Sequence, residues 1–253
     1  MFAEENSLTQ LVREDYRTAA VLHRFGIDFY RKPHHTLKQA CEERKLKLSI
    51  IQGALDTATK KPAVAAGVEE LRELSAVQIM QYLKIQHRNF IFRKLPYMQR
   101  LIADSEAIAE ESGCQEVLED LRLAFPLFAE DFARHIFEEE EEMFTYIELL
   151  HNVLFKGEHF SKTFMRMERA TISEFLIAHH AEDDDMSGIR NITKGYCLTP
   201  HAHLLVRVLY AELQAFEQQL TMHARIENRL LLPKALKLEA GVKWLMERKR
   251  ELN

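Results

Sequence analysis

The chain has 253 residues, 47% of them hydrophobic, and a formal net charge of −5. That apolar fraction is enough to bury a core, and the acidic balance excludes a basic footprint for DNA or RNA. Only 8 Gly and 6 Pro are present, too few turn residues for a sandwich, barrel or propeller of short strands, so long helices and an all-α fold are expected.

Residues 1 to about 60 read as a compact three-helix unit. Asp15 is placed to cap a helix carrying Ala19, Val21, Leu22 and Phe25, and Gly26 suits the left-handed position that ends it. Thr36-Leu37-Lys38-Gln39 has the capping-box pattern and opens a second helix through Cys41. Ser49-Ile50-Ile51-Gln52 repeats the pattern and opens a third. Residues 57–67, with Lys60-Lys61-Pro62 and few large apolar side chains, read as a linker.

From residue 69 to 253 four long helical patterns follow, which short connections would arrange as an antiparallel four-helix bundle. The first spans about 71–111, with a kink at Pro96 and a stop at Ser112-Gly113. The second spans about 114–156, with a bend at Pro126; Leu121, Phe125, Phe128, Phe132, His135, Glu139, Met143 and Tyr146 form its stripe. The third spans about 161–193. The fourth spans about 200–232 and ends before Pro233; its stripe is Leu205, Leu209, Glu212, Phe216, Gln219, His223, Glu227 and Leu230. A short helix over 242–249 closes the chain. No apolar run approaches 18 residues, so no membrane span is expected. Cys41, Cys114 and Cys197 lie far apart, which fits neither a disulfide framework nor a zinc finger. The start MFAEENSLTQ is acidic and polar, unlike a secretory signal, so a soluble cytoplasmic protein is expected.

Histidine carries the chemistry. His135 and Glu139 on the second helix, and His223 and Glu227 on the fourth, are each four residues apart, so each pair shares one helix face. That face is the apolar stripe. A carboxylate buried alone costs several kcal/mol or takes up a proton, whereas a cation accepts imidazole nitrogen and carboxylate oxygen together. One such pair in a Glu-rich chain carries little weight; two on core stripes carry more. His87 supplies an inward imidazole on the first helix, flanked by Met80, Leu83, Phe90 and Ile91. On the third helix Ile172, Phe175, His179 and Met186 share a face, which favours His179 over the adjacent His180. The candidate metal ligands are therefore His87, His135, Glu139, His179, His223 and Glu227. Six such ligands suit two octahedral ions with two bridging carboxylates and open positions for oxo or small ligands. Iron, manganese and zinc all fit these donor types. The other glutamates of 138–142 are expected to form a solvated face, and the acidic run 182–185 likewise. His34, His35, His151, His159, His201 and His203 are assigned no role.

At these residues the chain resembles the Repair of Iron Centres family, di-iron proteins of the hemerythrin-like class. The segment Asp15-Tyr16-Arg17-Thr18-Ala19-Ala20-Val21-Leu22, then Phe25-Gly26-Ile27-Asp28-Phe29-Tyr30, then Thr36-Leu37, is similar to that family's small N-terminal domain. HARIENRLLLPKAL, with His223 and Glu227, resembles its HxxLENxLFPRAL segment, and HIFEEEEEMF, with His135 and Glu139, its HxxxEExxxF segment. Counting back from Ile192-Thr193, at the family's Leu-Thr position, also selects His179. Three positions depart from the pattern. Tyr30-Arg31-Lys32-Pro33 stands where the family carries Cys-Cys-Gly-Gly, Ala178-His179-His180 replaces Glu-His-Asp, and His87 lies one residue further from Leu95-Pro96 than usual. The resemblance implies a hemerythrin-like bundle after a small helical domain, and two iron ions bridged by oxo and carboxylate groups. It implies repair, under stress, of iron–sulfur clusters damaged by nitric oxide or peroxide, through iron donation or scavenging, with NO, O2 or peroxide as small ligands and damaged iron–sulfur proteins as partners. Catalytic turnover and assembly as a homodimer are left open. The alternatives are a hemerythrin-like sensor or store of O2 or NO, and a metal-free helical adaptor.

Overall fold

A computed structural model of the protein describes residues 6–60, 68–105, 108, 113–169, 171–181 and 185–251, without the side chains of 178–181 and 250. Among these residues the structure is helical, and extended pairing is confined to an isolated bridge between Ser7 and Thr36. The all-α expectation holds. The chain forms two compact units: one of Met1–Ala65, Pro96–Arg122 and Ile192–Ala215, the other of Ala66–Leu95, Leu123–Asn191 and Phe216–Asn253.

In the first unit, α1 (Leu8–Glu14), α2 (Arg17–Arg24), α3 (Leu37–Glu43) and α4 (Leu48–Thr59) bury Leu11, Leu22, Leu37, Ile51 and Leu55 completely. The sequence reading missed α1, which Ser7 opens by accepting the Gln10 N–H at 3.2 Å. Asp15 takes the Arg17 N–H at 3.0 Å and grips its guanidinium, which holds the Asp15 carboxyl below its ordinary value. Gly26 sits at φ +71 with Arg44 Nη1 only 2.8 Å from where a Cβ would stand, so it meets both a conformational and a steric demand. The Thr36–Gln39 capping box forms with both bonds. Ser49 does not cap: α4 has already begun at Leu48, after Lys47. Much of the expected linker, 61–67, lies outside the described residues. Within the same unit Tyr30 donates to Asp104, which also binds Arg100 at 2.6 Å.

Four helical rods follow among the described residues; the parts of them that lie in the second unit pack as a bundle, and residue pairs give their directions. The first rod is α5 (Ala76–Asn89) and a π-turn, Phe90–Lys94, that leads into α6 (Leu95–Ser105). It begins at a Ser75–Gln78 capping box, later than the expected 71, and its expected end at Glu111-Ser112 lies outside the described residues. The second is α7 (Gln115–Glu139), a π-turn Glu140–Phe144 and α8 (Thr145–Lys156), with Pro126 inside the helix. The third is not one helix but α9 (Phe160–Met167) and α10 (Ile172–Ala181), followed by α11 (Ser187–Ile192). The fourth is α12 (Leu204–Ile226), a π-turn Glu227–Leu231 and α13 (Leu232–Glu251). Contacts of His87 with Glu140 and of α5 with α8 run the first two rods in opposite directions. Arg166 against Glu142, Lys249 over Phe160 and Ile172 bonded to Glu239 set the third rod antiparallel to the second and fourth.

Pro233 does not stop the fourth helix, and the expected closing helix 242–249 is part of α13. A proline ring clashes with the carbonyl four residues back and offers no N–H. Here Leu232, just before it, already bonds five residues back to Glu227 O, and Leu95, before Pro96, bonds to Phe90 O. The widened π-turn loosens the ladder where each proline enters, so both helices continue.

Burial raises the pKa of Tyr30, Tyr97, Tyr146 and Tyr210, the last to about 12. A raised folded value means that the folded chain holds these protons longer than the unfolded chain. Their contribution to stability is therefore fully present below pH 10 and is lost as pH rises above it. Phenolate absorbance and helical circular dichroism should thus change together above pH 10, with the buried phenols ionising only as the helices melt.

Candidate metal centre

Among the described residues three π-turns fall at one level of the second unit, beside His87, at Glu139–Glu140 and at Glu227. The structure gathers His87, Glu139, His223 and Glu227 there, with one donor atom from each lying within 4.8 Å of all the others. His87, Glu139 and Glu227 are buried, and the His223 side chain is 10% exposed. His87 Nε2 lies 3.0 Å from His223 Nε2 and 3.6 Å from Glu139 Oε2, and His223 Nε2 lies 2.8 Å from Glu227 Oε1. Around them stand rings. Phe144 stacks on His87 with centroids 5.6 Å apart, and Phe90 meets His223 edge-on at 5.7 Å.

Such a cluster without a cation is costly. Burial, and then the charge of Glu227, push the Glu139 carboxyl well above its ordinary value. Glu139 Oε1 is buried and has no hydrogen-bond partner. Burial and the facing His223 draw His87 down to about 4, so it is a neutral imidazole at pH 7. Donors bound at about 2.0–2.2 Å around one cation stand roughly 3–3.5 Å apart, close to the separations seen. Two imidazoles and two carboxylates, with an orphaned carboxylate oxygen among them, fit a divalent or trivalent cation.

His87 gains a partner that the sequence reading assigned to solvent. Glu140 Oε1 lies 2.7 Å from His87 Nδ1. That contact puts the ring proton on Nδ1 and leaves the Nε2 lone pair facing the cluster. Adjacent residues of a regular helix point about 100° apart, so Glu139 and Glu140 share this region only because the π-turn begins between them. Glu138, Glu141 and Glu142 are exposed, as expected. Glu140→Gln should keep the fold and weaken metal binding about 10- to 100-fold, read by competition with a chelator.

His135 is half-buried and outside the four-donor cluster, but it lines the same cavity, of about 500 Å³, as Glu139, His223 and Glu227. The side chains of His179 and His180 lie outside the described residues, though both positions fall on α10.

No family model matches the chain. Two curated relatives do, each an iron-sulfur cluster repair protein YtfE. The one from Musicola paradisiaca is 24% identical over 246 residues, covering 95% of this chain and 100% of the relative. The one from Dickeya chrysanthemi is 23% identical over 245 residues, covering 94% and 100%. The likeness to iron–sulfur repair proteins thus runs along nearly the whole chain.

Proposed function

We propose that this chain holds two iron ions in its bundle and takes part, in the cytoplasm, in repairing iron–sulfur clusters damaged by nitric oxide or peroxide. The observation that carries the reading is the buried meeting of two imidazoles and two carboxylates from three rods. The full-length likeness to proteins named for iron–sulfur cluster repair supplies the direction. In this reading His87, His135, His179 and His223 would hold the iron through ring nitrogens, and Glu139 and Glu227 would supply carboxylate oxygens to it. Bound iron would supply redox change and open positions for NO, O2 or peroxide. The chain's own part is to keep water out with Phe90, Phe132 and Phe144, to fix the His87 tautomer through Glu140, and to release the Glu139 proton when a cation arrives. Residues 1–60 act as a small helical module before the bundle of 69–253.

The test is anaerobic iron loading of the full chain, followed by iron analysis and Mössbauer spectra. The reading requires close to two iron ions per chain and a spin-coupled pair; less than about one would favour a metal-free adaptor. Anaerobic NO titration of the reduced protein should change its optical spectrum, and an unchanged spectrum would remove NO as a ligand.

One observation favours a second reading, a sensor or store of O2 or NO. The segment Tyr30-Arg31-Lys32-Pro33 holds no thiol, and its Tyr30 is tied to Asp104. Transfer of iron to a cluster-depleted acceptor protein supports repair, and reversible gas binding without transfer supports sensing.

A further inference from the structure

The first unit contains a second cavity, of about 660 Å³, and none of the centre's ligands. It is lined by parts of α1, of the segment around Tyr30, and of the turn before α12. Its lining includes Arg13 and the three histidines His34, His201 and His203 and, among the described residues, no aspartate or glutamate. That is notable in a chain of net charge −5. Arg13 makes no ion pair among the described residues. Thr9, also in the lining, has its hydroxyl oxygen buried without a hydrogen-bond partner. His203 Nδ1 accepts the Leu205 N–H at 3.2 Å, so the ring proton sits on Nε2, and that nitrogen is a donor. Phe29, Pro33 and Leu204 form an apolar wall beside these groups.

We propose that this cleft binds a small organic oxyanion, a phosphate ester or a carboxylate. Arg13 and the imidazoles would take the charged group, and the apolar wall would take the body that carries it. A guanidinium offers paired donors suited to either anion, and a neutral imidazole adds one N–H without requiring a counter-charge. A metal ion fits less well. Among the described residues no carboxylate lines the cleft to balance its charge, and the donor cluster lies in the other unit. The volume exceeds what a bare phosphate needs, which points to an anion with a ring or chain attached.

Calorimetric titration of the full-length, iron-loaded protein at 0.15 M salt tests this with three probes: orthophosphate, adenosine monophosphate and succinate. At least one should bind saturably with a Kd below about 1 mM. Tighter binding of the nucleotide than of orthophosphate assigns a phosphate ester, and a preference for succinate assigns a carboxylate. Arg13→Gln and His201→Gln, both at exposed positions that do not threaten folding, should each weaken the preferred probe at least about tenfold. Arg24→Gln, exposed and outside the cleft, should leave it unchanged, as should the optical spectrum of the iron. No saturable binding by any probe, or binding indifferent to Arg13→Gln, overturns the proposal. Neither result bears on the metal centre.

Discussion

Glu139→Gln is expected to abolish metal binding at the proposed centre while leaving the metal-free fold as stable as before, or more so. In the metal-free chain Glu139 is buried beside Glu227, and its pKa stands well above the ordinary carboxylate value. A folded value raised above the unfolded one means that ionising Glu139, as pH rises towards 7, costs the folded chain stability. Glutamine has the shape of the protonated acid and needs no proton. The variant should therefore melt at or above the temperature of the metal-free parent at pH 7. That gap should close as pH falls below about 4.5, where Glu139 is protonated in both states. Metal binding moves the other way. An amide oxygen is a weak ligand that bridges poorly, so affinity should fall by at least about a hundredfold and the coupled Mössbauer signal should vanish. Glu139→Ala and Glu227→Ala should lose that signal too, but with cavities in place of carboxyls. Parent affinity should climb with pH above the ordinary carboxylate range, because the cation must displace the Glu139 proton. His87, drawn down to about 4, is already neutral across that window and adds no dependence of its own. The climb should be shallower in Glu139→Gln. An unchanged iron content in that variant would remove Glu139 from the centre.

The four-donor cluster was legible where helical periodicity holds. His223 and Glu227 are four apart on a stripe that includes Phe216 and Leu230, and the structure keeps that register, with Phe216, Glu227 and Leu230 buried. His87 was legible from its neighbours Met80, Leu83 and Phe90, all of which are buried around it. Glu140 was not, because a π-turn shifts the face by one residue and leaves no compositional mark. The same device misled the reading of Pro233, where the local rule against proline in a helix is correct and a widened turn satisfies it. Capping boxes were a mixed guide. Thr36–Gln39 opens α3 as read, and Thr171–Glu174 forms a reciprocal box that starts α10 and breaks the expected third helix. Ser49–Gln52 has the same letters, but the chain is already helical at Leu48, so no N–H is left there to be capped. A box marks a helix start only where the preceding residues cannot be helical, and tertiary packing decides that.

Glu239→Ala should be the most damaging single change outside the centre, costing about 2–4 kcal/mol of stability. Nothing in the sequence distinguishes Glu239 from a surface acid with Lys243 one turn on, yet it is buried. Its Oε1 accepts the Tyr146 hydroxyl at 2.6 Å and the Ile172 N–H at 3.2 Å, while Oε2 takes Lys243 Nζ at 3.0 Å. One carboxylate thus joins three rods, and it caps the first N–H of α10, where a negative charge is favoured. Truncation leaves a buried hydroxyl and a buried helix-start N–H without an acceptor, and those losses, more than the lost bonds, set the cost. Glu239→Gln keeps an acceptor oxygen and should cost about 1 kcal/mol. Tyr146→Phe removes one donor at a similar cost, and in the Glu239→Ala background it should cost nothing further or even recover stability, since the hydroxyl is already orphaned there. Urea unfolding of the four proteins gives the coupling directly, with slopes unchanged if only stability moves. Because α10 carries His179, a ligand in the proposed centre, iron uptake adds a second reading of the same variants. If Glu239 acts only through the fold, iron content in Glu239→Ala should fall no further than the folded fraction does, and Glu239→Gln should load as the parent does. A larger loss of iron than of folded protein would mean that the cap also holds the third rod in register for the metal.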